Sequence, residues 1–473
     1  QSIYRWRGAD YRNISRLEAD HPDLATYLLE QNYRSTQTIL DVAQAIIRRN
    51  PNRTEKRLFT DRGMGPKVVV HEGYDQDEEA RYVVNTISQL TMTEDIEPGD
   101  CAVMYRTNAQ SRSLEEAFLR AGLPYRLVGA TRFYSRREIK DILAYLRLIQ
   151  NPNDAISLRR IIGVPPRGIG GKTVAALDAG ARAEDVPIWD VIEAVAAGDG
   201  ERFGLRTRAQ RAVSAFHELV SGWIADQDQM TVLDLVDRVV QETGYEAYIK
   251  DGTEEGEERW ENVLELRSVA ADYADLRLAD FLVDVALVSD VDDLVEEVNA
   301  PTLLTLHSAK GLEFRVVFIT GLEEGLLPHS RSFDDVEEMA EERRLMYVGV
   351  TRAKDRLYLT HAFRRTRFGL SETSEASRFL NDIPAELIGG PRVRTVRQPT
   401  KWTAEPEQSR RPQRLRRKPK LRFRTGQEVT HPTFGTGLVI ESQPDGDDER
   451  VTVAFEGEGL KRIMGSYLTP VSR

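Results

Sequence analysis

A single cysteine, Cys101, stands in 473 residues. That excludes an intrachain disulfide and a cysteine-built zinc site, and it makes a reducing compartment, the cytoplasm, the expectation. Long apolar runs are also missing. No stretch approaches the ~18 consecutive apolar residues of a spanning helix, which excludes an integral helical membrane protein. The opening residues, Gln1-Ser2-Ile3-Tyr4-Arg5-Trp6-Arg7, lack the apolar core of a secretory signal. No methionine opens the chain, and a fragment or a processed chain is the expectation. Positive charge is in deficit, with Lys plus Arg at 65 against Asp plus Glu at 76 and a net charge of −11. Taken whole, that balance argues mildly against a nucleic-acid partner, so the charge has to be read segment by segment. No H-E-x-x-H, C-x-x-C or G-x-S-x-G motif occurs. The nearest approach to a phosphate loop is Gly171-Lys172-Thr173, but Pro166 stands where the first glycine is required and no strand pattern precedes it. No metal ligand is expected in this chain.

What is present begins with a strand–helix rhythm. Lys67–His71, Cys101–Met104 and Tyr125–Gly129 are short apolar runs, and 76–90 and Ser113–Ala121 between them carry apolar residues at helical spacing. Helical crossovers between strands imply a parallel sheet. From about 131 to 299 only helical patterns follow. Strands return at Thr302–Leu306, Val316–Thr320 and Arg356–Thr360, with a helix near 335–349. The expected fold is therefore α/β, a parallel-sheet domain interrupted by a mainly helical insertion. Lys250–Asn299 holds 16 acidic and 4 basic residues, which accounts for the negative total and reads as a solvated face. Residues 391–424 hold 13 Lys or Arg against Glu405 and Glu407, with five prolines, a basic linker. The last fifty or so residues alternate β-like runs with Gly/Asp turns, enough for a small barrel.

Four segments gather arginine, glutamine and aromatic residues at element ends. They are Gln1–Asp10, Leu29-Glu30-Gln31-Asn32-Tyr33-Arg34-Ser35-Thr36, Thr305–Phe314, and Glu341–Ala353, which ends in Arg352. Aromatics interleaved with arginine suit single-stranded nucleic acid, since bases stack on rings and guanidinium planes while phosphates pair with arginine. In this order the segments resemble motifs III, IV, V and VI of the UvrD/PcrA/Rep helicase family of superfamily 1A. Ala130–Asp141 and Pro165–Gly170 resemble family segments as well.

The resemblance implies an architecture. Residues 1–28 would be the tail of a first RecA-like domain. Residues 29–130 and 300–385 would form a second RecA-like domain, split by a helical insertion at 131–299. A basic Pro-rich linker at 386–423 would lead to a Tudor-like barrel at 424–473. It also implies roles. Gln1 senses the γ-phosphate, Arg34 and Arg352 contact it, Tyr33 stacks on adenine and Glu313 meets the ribose. Tyr4, Trp6 and Arg7 hold single-stranded DNA and His307 touches it. Gly168, Ile169 and Gly170 grip duplex backbone, where glycine admits close approach, and Phe368 is an aromatic pin at the duplex junction. The implied activity is ATP-dependent 3′-to-5′ DNA unwinding in repair or replication, with ATP and Mg²⁺. Walker A and B segments are absent from this sequence, so the Mg²⁺ ligands are expected elsewhere and this chain alone is expected to be inactive. Implied partners are single-stranded and duplex-junction DNA, and RNA polymerase or repair proteins at the barrel. The other class of function open to this sequence is a non-catalytic module that binds DNA or RNA polymerase through linker and barrel.

Overall fold

The computed structural model describes residues 27–50, 56–291, 299–367 and 370–389, most of 422–470, and a few positions before 27. Gln1, Tyr4, Trp6, Arg7 and Phe368 lie outside the described residues. Two units separate, 1–396 and 397–473.

The first unit is built on a parallel sheet. In chain order its elements begin with α1 (Gln37–Ile47), β1 (Val68–Gly73), α2 (Gln76–Thr93), β2 (Cys101–Tyr105), α3 (Ser111–Arg120) and β3 (Arg126–Val128). Nine helices follow without a strand among the described residues: α4 (Arg137–Gln150), α5 (Ala155–Ile161), α6 (Gly171–Glu184), α7 (Ile188–Ala194), α8 (Thr207–Asp226), α9 (Val232–Thr243), α10 (Tyr245–Ile249), α11 (Glu254–Ala271) and α12 (Leu278–Val291). The chain then returns through β4 (Thr302–Thr305), β5 (Phe314–Ile319), α13 (Val336–Val350), β6 (Ala353–Ala362), β7 (Arg364–Arg367), β8 (Leu370–Thr373), α14 (Arg378–Asn381) and β9 (Ile388–Gly389). The sheet order is β3-β4-β2-β5-β6-β1-β9, parallel throughout.

The sequence explains the sheet. Strand β2, Cys-Ala-Val-Met-Tyr, is buried at every position, as a central parallel strand covered on both faces must be. Its period of two sends Ala102 and Met104 into one core cluster and Cys101, Val103 and Tyr105 into another, one on each side of the sheet. Ile3 is buried in the first of these clusters. Helix α2 starts where Asp75 accepts bonds from the N–H groups of Asp77 and Glu78, and α13 starts the same way at Asp335. Strand β6 runs three residues further at its start and two at its end than the apolar run at 356–360 suggests, and Ala353, His361 and Ala362 in these extensions pair with Phe314 of β5 and with Glu72 and Gly73 of β1.

The insertion has its own core of helix faces around Trp223, Tyr145, Phe216 and Phe281. Residues Gly171 to Thr173 open α6 after a loop from α5, which confirms that no phosphate loop is built there. One stripe of α11 carries charged contacts between the insertion and the sheet domain. Glu257, Glu261 and Glu265, spaced i, i+4, i+8, pair with Arg331, His329 and Arg112 at 3.2, 3.3 and 2.7 Å. No helix among the described residues is long and apolar enough to cross a membrane.

The second unit holds β10 (Glu428–His431), β11 (Gly435–Asp445), β12 (Asp448–Phe455), β13 (Gly459–Met464) and β14 (Thr469–Pro470), an antiparallel sheet in the order β13-β12-β11-β10-β14. Its core is Phe423, Val429, Val439, Val451, Val453 and Leu468. Buried Glu449 accepts bonds from the N–H groups of Arg422 and Phe423 and from Ser442 Oγ.

Candidate nucleotide and nucleic-acid sites

Parallel strands give the sheet two chemically different edges, and the candidate residues divide between them. At the N-terminal edge, the segment before α1, the residue before β5 and the junction of α13 with β6 come together. Asn32 Oδ1 accepts from the N–H of Arg34 (2.9 Å) and of Ser35 (2.8 Å), an Asx turn that sets the direction of the Arg34 side chain. Ser35 Oγ donates to the carbonyl of Ala353 (2.6 Å), and the Thr36 N–H donates to the carbonyl of Lys354 (3.1 Å). The turn is thereby fastened to the start of β6, within reach of Arg352.

The charges gathered there are mostly positive. Arg34 Nε donates to Glu313 Oε2 at 2.6 Å, and Lys354 Nζ meets Glu313 Oε1 at 2.7 Å. Hydrogen bonds from Lys354 and then Arg34 hold the Glu313 carboxyl down to about 2. Arg62 bonds the carbonyl of Arg34 and pairs with Asp355. Arg352 is different. It is only 3 % exposed, and its guanidinium donates to the carbonyls of Val348 (3.0 Å) and Leu312 (3.1 Å) and to Thr351 Oγ1 (3.2 Å). No carboxylate pairs with it among the described residues. Burial and the neighbouring Arg34 guanidinium pull its pKa down to about 10, against the pull of Glu313. It stays protonated at neutral pH, a buried cation whose hydrogen-bond partners are all uncharged. A buried charge left without a counter-ion is costly, and the arrangement suits an anion supplied from outside. Tyr33 stands at the rim, 78 % exposed, its hydroxyl donating to Gln31 Oε1 (2.8 Å). Its ring is not a core aromatic, and its faces are open for stacking.

His307 lies at the other edge, just past the C-terminal end of β4. The Gly129 backbone there adopts φ +77°, and a Cβ on it would come within 2.8 Å of Ser308 Oγ. Burial, then the Arg106 guanidinium, pushes His307 down to about 4, with Glu342 opposing. Its imidazole is therefore neutral at pH 7. Arg106 forks onto Glu342, with Nε and Nη2 both donating to it at 2.8–3.1 Å.

In the insertion, the triplet 168–170 divides. Gly168 has φ +83°, and Gly170 caps α6 with open space around its Cα. Ile169 between them is buried in the helical core and acts as the anchor of the loop. Arg167 holds the loop from beneath, donating to the carbonyls of Val164 (2.9 Å) and Pro165 (3.2 Å) with its guanidinium over the Tyr145 and Phe216 rings.

Sequence reasoning missed Asn32, Arg62, Lys354 and Arg167. The Asx signature of Asn32 was readable in Asn-x-Arg-Ser. Arg167 lay within the Pro165–Gly170 segment but was given no role, and Arg62 and Lys354 gave no sequence signal, because their importance comes from tertiary neighbours.

The family model of the UvrD-like helicase C-terminal domain matches residues 27–364, and that of the PcrA/UvrD tudor domain matches 425–473. The chain is 42 % identical to the ATP-dependent DNA helicase UvrD1 of Mycobacterium tuberculosis, covering 100 % of this chain and 64 % of the relative. It is 39 % identical to the ATP-dependent DNA helicase PcrA of Bacillus subtilis, covering 99 % and 65 %. It thus spans just under two thirds of the length of the curated relatives it matches. The split parallel-sheet domain, its helical insertion and the separate antiparallel unit agree with both matches, and the chain belongs to the UvrD-like helicase C-terminal domain family.

Proposed function

We propose that this chain is the C-terminal portion of an ATP-dependent 3′-to-5′ DNA helicase and supplies half of its ATP site. The observation that carries the reading is Arg352, a buried guanidinium with no carboxylate partner among the described residues, beside Arg34 on the N-terminal edge of the sheet. Arg34 and Arg352 neutralise charge on the transferring phosphoryl group, a role worth about 10³–10⁵ in rate where an arginine finger is used. Tyr33 stacks on adenine with its exposed ring. Glu313 reaches the ribose while orienting Arg34 and Lys354, and Gln1 senses the γ-phosphate.

The cation excess fits the phosphates of ATP. It does not fit Mg²⁺, because no group of three metal-ligating side chains lies together among the described residues. Mg²⁺ is therefore assigned to none of the described residues. DNA is taken up at other places. Tyr4, Trp6 and Arg7 stack on and hold the single strand, and neutral His307 hydrogen-bonds it. The loop at 168–170 approaches duplex backbone through Gly168 and Gly170, and Phe368 sits at the junction. Closure of the ATP cleft shifts these contacts along the strand. The terminal unit docks a protein of repair or transcription.

The test compares the complete protein with residues 1–473 alone. The complete protein should hydrolyse ATP in response to single-stranded DNA and unwind a 3′-tailed duplex but not a 5′-tailed one. Residues 1–473 should bind DNA weakly and turn over no ATP. Turnover by 1–473 above that of its Arg352→Ala variant would show a phosphate site that this reading lacks.

A further inference from the structure

Beyond β6 the chain forms the β7–β8 hairpin, in which Arg367 pairs with Leu370. Three residues before Phe368, Arg365 turns inward rather than toward solvent. Its side chain is 9 % exposed and lies between Glu79 of α2 and Glu323, which are 5 % and 0 % exposed. Nη2 donates to Glu79 Oε2 at 2.5 Å and to Glu323 Oε1 at 2.6 Å, and Nε donates to Glu323 Oε2 at 2.9 Å. Both carboxylates are held from behind. Glu79 Oε1 accepts from Thr360 Oγ1 (2.7 Å) and the Gly321 N–H (2.8 Å), and Glu323 Oε1 accepts from the Ala362 N–H (2.9 Å). One guanidinium thus joins the hairpin to α2, to β6 and to the loop after β5.

A buried ion cluster of this kind is a poor source of net stability, since well-packed apolar residues serve as well or better. What it provides is direction, because a planar fork between two fixed carboxylates permits one orientation. The hairpin is also held elsewhere, by the Thr366 N–H donating to Gln76 Oε1 (3.3 Å) and by packing of β7 on α11. Arg365 and Thr366 line a cavity of about 380 Å³ together with Glu257, Trp260 and Glu261 of α11. The same strand therefore touches the sheet that carries the ATP half-site and the helix on which the insertion docks.

We propose that Arg365 is a positioning residue for strand separation. Clamped by Glu79 and Glu323, it makes the Phe368 hairpin rigid with the sheet and the docking face of the insertion, so that sheet movement reaches the duplex junction undiminished. This rests on the helicase reading above.

The test uses the complete protein with Arg365→Lys, which keeps the charge and loses the fork, and with Glu79→Gln, which keeps an acceptor and loses one charge. Phe368→Ala serves as the comparator. Arg365→Lys should lower unwinding of a 3′-tailed duplex at least tenfold, while ATP turnover and KM for ATP with saturating single-stranded DNA stay within twofold. Glu79→Gln should show the same split, three- to tenfold in unwinding, and decides the matter if Arg365→Lys does not fold. A residue that merely stabilised the fold would lower both activities together with the melting temperature, and that outcome overturns the proposal. So does unwinding within twofold of wild type in the variants while Phe368→Ala loses it. Unwinding unaffected by Phe368→Ala, or absent from the wild type, refutes the helicase reading itself and the proposal with it.

Discussion

Replacing Arg352 by glutamine in the complete protein should separate activity from stability. The guanidinium is buried, beside Arg34, with no carboxylate partner among the described residues, and its pKa is pulled down to about 10. A shift of that size corresponds to ~3 kcal/mol by which the fold disfavours the charge. Glutamine removes that penalty. It forfeits bonds to the Val348 and Leu312 carbonyls and to Thr351 Oγ1, of which one can be remade by the amide. A buried acceptor left unpaired costs about 1–3 kcal/mol. The Val348 carbonyl keeps the Thr351 hydroxyl as a donor, so about one acceptor is left unpaired, the two terms nearly cancel, and the net change in stability should be within about 2 kcal/mol. The rate has no such compensation. Loss of a preorganised donor to a developing anion costs roughly 10²–10³ in turnover. The assay is single-turnover ATP hydrolysis with saturating single-stranded DNA, alongside thermal unfolding of the same preparation. Hydrolysis reduced by less than threefold would remove Arg352 from the phosphoryl site. A melting temperature lowered by more than about 10 °C would show that the guanidinium is structural.

Two further outcomes are expected. Tyr33→Ala should weaken ATP binding roughly 5- to 100-fold, by loss of one stacking platform worth ~1–3 kcal/mol, without moving the melting temperature, because the ring is 78 % exposed; fluorescent-nucleotide titration measures the first, and unchanged affinity would leave Tyr33 as a surface residue. His307 is held down to about 4 in the fold against 6.5 unfolded, so below pH 6.5 the unfolded chain takes up the proton first. Its contribution is therefore complete above pH 6.5 and lost as pH falls toward 4, with a slope of at most ~1.4 kcal/mol per unit. Urea unfolding of 1–473 between pH 7.5 and 4.5 should show a shallower slope for His307→Gln, and an identical slope would refute the assignment.

The parallel sheet could be read from the sequence because central strands such as Cys101–Tyr105 must be apolar on both faces, which leaves a continuous run. The insertion was legible by contrast, since nothing between Val128 and Thr302 has a period of two. Strand ends were less so. Ala353 to Asp355 belong to β6, but a lysine and an aspartate there follow no strand pattern. In the candidate site, Arg34, Glu313 and Arg352 were singled out through ordered motifs, and the structure brings them to one edge. Lys354 could not be found that way, because its value lies in sharing Glu313 with Arg34 from 320 residues away in sequence. The Arg365 cluster was hidden for the same reason: Glu79, Glu323 and Arg365 are ordinary charges until the fold buries them together.

The position of the insertion bears on how the molecule is made. Strands β2 and β4 are neighbours, with Ala102 beside Thr302, yet two hundred residues of chain separate them. Closing a loop of that length costs about 2–3 kcal/mol more than closing one of about ten residues. Helices whose contacts are local form before distant strands can pair. Once α4–α12 have packed around Trp223 and Phe281, the effective span between β3 and β4 shrinks to the width of a folded body. A packed helical body thus lowers the cost of bringing β4 beside the strands that precede the insertion. Mutations in its core should therefore slow refolding of the sheet even where they leave the finished domain intact.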